Sequence, residues 1–77
     1  MNKSRQNSNH QLVIKWLKKC RLQQNLTMRQ LGTLLDEPFQ FVSKIENGQR
    51  NLSVGEFLQY CEALEADPSD FIASLKK

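Results

Sequence analysis

The sequence predicts an all-α fold of five short helices, and three observations carry that expectation. Apolar residues recur at helical spacing, and no run of alternating β-branched residues marks a strand. Helix-start signals repeat along the chain. Thr27 with Gln30 and Ser53 with Glu56 are capping boxes, and Asp67-Pro68 is a cap followed by a proline suited to a first helical turn. The chain has 77 residues, a length at which the core is thin and helix-on-helix packing is the economical way to fill it.

Residues 1–8 are polar and read as a flexible arm, with a single domain over residues 9–77. The first helix starts at Ser8 or Asn9, either of which can cap, and runs to about Gln24. Val13, Leu17 and Cys20 form its apolar stripe with Trp16 beside them, and Asn25 suits a left-handed stop. The second helix spans about Met28–Leu35, with Leu31, Leu34 and Leu35 at helical spacing. Gly32 inside it costs up to about 1 kcal/mol against Ala, which close approach of another helix would explain. Asp36-Glu37-Pro38 ends that helix, and Pro38 suits the first turn of the third, which runs to Asn47-Gly48. The fourth helix carries Val54, Phe57, Leu58, Cys61 and Leu64 inward, with Tyr60 near the edge of the stripe. The fifth opens at Pro68 and bears Phe71, Ile72 and Leu75. One side of that helix closes the core, and what stays exposed among these three residues is the candidate dimer surface.

Charge is unevenly distributed. The net +3 divides into nine Lys/Arg against three acids before residue 51 and two Lys against five acids after it. A basic first part suits phosphates, and an acidic second part suits something else. Cys20 and Cys61 form no metal-ligand pattern and read as reduced, buried small hydrophobes, with a disulfide as the competing reading. The sole histidine, His10, lies near the start of the first helix and reads as exposed. No Cys/His pair, no paired carboxylates on one face and no phosphate-binding Gly loop support catalysis, so no enzyme, metal or cofactor is expected. No apolar run approaches membrane-spanning length, and MNKSRQNSN lacks the apolar core of a signal peptide.

The second and third helices around their short turn form the unit that DNA-binding proteins set on the major groove. At about 100° per residue, Val42 and Ile45 define the inner face of the third helix, with Pro38 and Glu46 at its borders. Gln40, Ser43, Lys44 and Asn47 cluster opposite, with Phe39 and Phe41 on the flanks. Gln pairs with adenine, Lys donates to guanine, and Ser serves base edges or phosphate. Asn47 at the far end suits a phosphate, and Arg50 and Asn51 in the following loop suit the backbone beside it.

From Arg21 through Gly48 the chain resembles the XRE-type, lambda-repressor-like (Cro/cI) helix-turn-helix family without a gap. The match runs through Asn25-Leu26-Thr27-Met28, Leu31-Gly32 and Leu35, and its most specific part is Val42-Ser43-Lys44-Ile45-Glu46-Asn47-Gly48. Arg50-Asn51, Ser53 and Asp67-Pro68-Ser69 also follow the family's habits, and the resemblance covers about residues 12–75. It implies a five-helix domain with the helix-turn-helix at helices 2 and 3, and a structural ion pair between Arg21 and Glu46. It also implies base contacts from Phe39, Gln40, Ser43 and Lys44. Phosphate contacts would come from Asn47, Arg50, Asn51 and the N-terminal end of helix 2, at Met28 and Arg29. The chain departs from the family pattern at three places. Met28 replaces a frequent Gln, Asp36-Glu37 replaces Gly-Val, and Phe39 replaces a frequent polar reader. Phe39 is expected either to press on a thymine methyl or to sit against Phe41 and mark a protein-binding surface.

The resulting expectation is a homodimeric, sequence-specific transcriptional repressor on a near-palindromic double-stranded operator, cytoplasmic and nucleoid-associated. The alternative is a protein-interaction module of a toxin–antitoxin or phage-control pair, with a protein partner and secondary DNA binding.

Overall fold

The computed structural model describes residues 8–76. Five helices follow in order: α1 Ser8–Gln23, α2 Met28–Leu35, α3 Phe39–Glu46, α4 Val54–Leu64 and α5 Pro68–Ser74. The expected arm lies outside the described residues except for Ser8, which opens α1. Among the described residues no helix is long and apolar enough to cross a membrane.

The core is Leu17 of α1, Leu31 of α2, Val42 and Ile45 of α3, and Tyr60, Cys61 and Leu64 of α4. α2 packs chiefly on α3 and also on α4, while α1 spans both α3 and α4. α5 joins through aromatic rings. Trp16 of α1, Phe57 of α4 and Phe71 of α5 form a triangle with centroids 5.5–6.3 Å apart, tilted arrangements that aromatic quadrupoles favour.

The helix ends explain why this chain turns where it does. Thr27 accepts the Gln30 N–H at 3.0 Å while the Gln30 side chain accepts the Thr27 N–H at 2.8 Å. Ser53 and Glu56 repeat the device at the start of α4, and Asp67 accepts the Ser69 N–H at the start of α5. At the other ends, Leu26, Glu37, Gln49 and Ala66 donate N–H groups back to the carbonyls of Arg21, Gly32, Lys44 and Cys61. This six-to-one return satisfies orphan carbonyls through a left-handed residue. Those residues are Asn25, Asp36, Gly48 and Glu65, with φ between 55° and 75°.

Several expectations are corrected. α1 ends at Gln23, and its buried line is Ile14, Leu17 and Arg21, with Val13, Trp16 and Cys20 half-buried. Pro38, with extended ψ of 159°, is the N-cap of α3 rather than its first helical residue, and α3 stops at Glu46. Gly32 is crowded chiefly by the main chain of the turn and then by the first residue of α3. A Cβ there would lie 2.8 Å from the Glu37 carbonyl oxygen and 3.3 Å from the Phe39 nitrogen. On α4 the inward stripe is Phe57, Tyr60, Cys61 and Leu64, so Tyr60 is fully buried while Val54 and Leu58 are exposed. The spacing i, i+3, i+4, i+7 from Phe57 fits one face better than a stripe begun at Val54. His10 is half-buried, in a groove shared with Val13, Phe57 and Phe71. Both cysteines are free thiols. Cys61 is buried, Cys20 is half-buried, and burial pushes both upward, Cys61 to about 11, which makes them poor nucleophiles at neutral pH.

Candidate nucleic-acid interface

The surface to be assembled is the outer side of α3 with the elements beside it. Val42 and Ile45 are fully buried against the core and so fix the rotation of α3. With that face inward, Gln40, Lys44 and Asn47 are exposed and Ser43 is half-exposed. The Asn47 side-chain amide donates to the Ser43 hydroxyl at 3.3 Å, which links the reader at the middle of the helix to the group at its end.

Behind α3 stands the Arg21–Glu46 pair. Arg21 Nε donates to Glu46 Oε2 at 2.7 Å and Nη2 to Oε1 at 3.0 Å, while Nη1 donates to the Leu26 carbonyl at 2.7 Å. Side-chain exposures of 8% and 2% place this fork inside the fold. Arg21 thereby joins the end of α1, the entry to α2 and the end of α3. Tyr60 lies close by, and burial first and the Glu46 carboxylate second hold its phenol well above the ordinary range.

The N-terminal end of α2 flanks the start of α3. Its capping box takes the Gln30 N–H, leaving those of Met28 and Arg29 as first-turn donors that no intrahelical carbonyl reaches. Met28 itself is half-buried against the core, while Arg29 is exposed. The Arg29 guanidinium lies over the Phe39 ring, 4.3 Å from its centroid.

On the other side, Arg50 lies 4.7 Å over the Phe41 ring. Its two terminal nitrogens donate to the two Glu56 carboxylate oxygens at 3.1 and 2.9 Å, and Nη1 also reaches the Asn51 carbonyl at 3.2 Å. Glu56 accepts the Ser53 N–H as well. The Arg50 fork, then the Ser53 amide, hold its carboxyl down to about 2. The Glu56 hydrogen bond raises Arg50 in turn, with a smaller contribution from Glu37, so the acidic turn lies within electrostatic reach of Arg50. Asn51 is exposed beside it.

The structure thus brings Gln40, Ser43, Lys44 and Asn47 onto one helix and sets Arg29 and Phe39 together at its start. Arg50 is bound to a carboxylate that sequence reasoning did not assign to it. Its capping role was legible from Ser53, but the reach back to Arg50 depends on the loop's path. Of the three candidate dimer residues, Phe71 is buried in the aromatic triangle, and Ile72 and Leu75 remain exposed. Among the described residues no cluster of three or more His, Cys, Asp or Glu side chains could hold a metal ion.

Comparisons with known proteins agree with this architecture. A helix-turn-helix family model matches residues 17–71. The XRE-family like protein from Pseudomonas syringae pv. tomato str. DC3000 superposes with a TM-score of 0.84 at 32% identity, over 92% of this chain and 87% of that one. The wild-type restriction-modification controller protein C.Esp1396I gives 0.79 at 26% identity, over 86% of this chain and 87% of that one. The same controller as a tetramer in complex with its natural 35 base-pair operator gives 0.77 at 26% identity, over 86% and 87%. No curated protein matches. The chain belongs to the XRE-type helix-turn-helix family of DNA-binding transcriptional regulators.

Proposed function

We propose that this regulator is a homodimeric repressor that sets α3 in the major groove of a near-palindromic operator. The observation that carries the reading is the outer face of α3. Val42 and Ile45 are locked into the core, and the opposite face presents an amide, a hydroxyl and an ammonium group at Gln40, Ser43 and Lys44. Those groups match the donor and acceptor pattern of the major groove. Phe39, the first residue of α3, flanks that face. Phosphates would be held by the first-turn N–H groups of Met28 and Arg29, by the Arg29 side chain, and by Asn47, Arg50 and Asn51. Two half-sites give a domain of this size useful affinity and match a two-fold protein to a two-fold operator. The controller bound to its operator as a tetramer supports assembly on DNA as the working form.

A second reading makes the domain chiefly a protein-binding module. Arg50 engaged by Glu56 and the exposed apolar Leu34 and Leu58 favour it. Gel-shift titration at several salt concentrations separates the two. The regulator reading expects binding to random duplex at low salt with a steep salt slope. It also expects Lys44→Ala to lower affinity for a selected site and relax preference at one base pair, a loss of about 1–3 kcal/mol. Absence of any duplex binding at low salt would discard this reading.

A further inference from the structure

We infer that Arg29 and Phe39 act together as a reader of a pyrimidine C5-methyl group, the ring taking the methyl and the guanidinium the neighbouring phosphate. The inference rests on the DNA-binding reading above and assigns that site a chemical preference. Phe39 is the first residue of α3, and the N-terminal residues of a recognition helix are those that meet base edges. A phenyl ring has no donor or acceptor with which to read a polar edge. The apolar mark in the major groove is the thymine C5-methyl, and 5-methylcytosine carries the same group at the same ring position.

The surroundings of Phe39 fit that use. The ring is half-buried, but it is not among the apolar side chains packed on the core, whereas Phe41 is. Ring contacts among the described residues join Trp16, Phe57 and Phe71 and do not include a Phe39–Phe41 pair. The group stacked on Phe39 is Arg29, 4.3 Å from its centroid. A stacked guanidinium keeps its in-plane donors free for hydrogen bonds. Arg29 also comes from the first turn of α2, the end of a helix that favours an anion. The stack therefore ties the phosphate-facing start of α2 to the base-facing start of α3. It immobilises a ring that the core does not hold, so less freedom is lost on contact. Docking of an apolar protein surface fits less well, because one ring face carries a cation and the adjacent Gln40 is polar and exposed.

The test uses the full chain and a site selected from a random duplex library, with binding read by fluorescence anisotropy at fixed salt. Each thymine of the half-site is replaced singly by deoxyuridine, which deletes only the methyl. One position should weaken binding about fourfold, the size of one buried methyl group. At that position, opposite guanine, 5-methylcytosine is then compared with cytosine. A preference there as well admits both sources of the methyl, and a preference confined to thymine over uracil assigns it to thymine. Phe39→Ala should bring the methyl ratio to one with its helical circular dichroism unchanged. Arg29→Ala should weaken binding to all duplexes and shrink the ratio. A wild-type ratio of one at every thymine, or a full ratio retained by Phe39→Ala, overturns the inference. A full ratio retained by Arg29→Ala overturns the pairing. A selection that returns no shared sequence is a different result, and it removes the sequence-specific reading on which the inference rests.

Discussion

Among the described residues Arg21 is the charged residue that lies buried, and it meets a carboxylate and a carbonyl from two other parts of the chain. Such a pair adds little net stability relative to apolar residues of similar volume, but removing one partner strands the other. Arg21→Met should therefore destabilise the domain by about 3–5 kcal/mol, a large share of what a small domain has. The double change Arg21→Met with Glu46→Leu should recover most of the loss, read as urea midpoints by circular dichroism. Glu56 poses the opposite case, a half-exposed carboxylate held by a guanidinium. Its charged form is favoured by folding, since its carboxyl falls from the ordinary 4.5 to about 2. That contribution is complete above about pH 4.5 and disappears as the pH falls to about 2. Glu56→Gln keeps a capping side chain and should flatten the acid-stability profile across this window. It also frees the Arg50 charge. If Arg50 meets phosphate, affinity for random duplex should rise roughly two- to fivefold, the small effect expected of a solvent-screened ion pair.

At the scale of elements, the turn between α2 and α3 is set by backbone packed against backbone. Gly32 donates no side chain to the core, yet the Glu37 carbonyl approaches to where a Cβ would sit. Ala has the better helix propensity by about 1 kcal/mol, but the clashing atoms belong to the main chain of the turn and cannot rotate away. Gly32→Ala should cost about 1–3 kcal/mol net in chemical denaturation, and it should weaken specific DNA binding by shifting α3 against α2. How much of this was legible depends on the residue types. Capping boxes declare themselves, so the starts of α2 and α4 fall where expected. Asn25, Asp36 and Gly48 are residue types that accept positive φ, and each does so at a helix end. Glu65 has no such preference, and its left-handed φ of 55° accompanies the return of the Ala66 N–H to the Cys61 carbonyl. A stripe begun at Val54 puts Tyr60 near its edge, but its position in the Phe57–Leu64 stripe buries it. Periodicity placed Gln40 and Lys44 outward. It could not supply the Arg29–Phe39 or Arg50–Glu56 pairs, which arise from how neighbouring helices and loops are set against each other.

For the molecule as a whole, charge divides by element, although Glu56 of the acidic part reaches back to Arg50. The candidate DNA-contact residues come from α2, α3 and the following loop, while five acids lie on α4, α5 and the connection between them. The acidic side carries exposed Ile72 at 51% and Leu75 at 48%, apolar groups that fit a second copy better than a polyanion. Ile72→Glu should leave circular dichroism unchanged and give a monomer by sedimentation. Operator affinity should then fall about a hundredfold or more through loss of the linked second half-site.

The aromatic triangle makes the attachment of this last helix visible. Trp16 is the one tryptophan in the chain, and its ring sits 5.5 Å from Phe71 of α5. α5 is seven residues long and contributes little to the far-ultraviolet signal. Its departure would hydrate the indole and redden its emission well before the helical signal fell. Fluorescence and circular dichroism therefore act here as two clocks. If they coincide, α5 belongs to the cooperative unit. If the emission leads, the terminal helix opens on its own, and the surface offered to a partner can be released without unfolding the part that faces DNA.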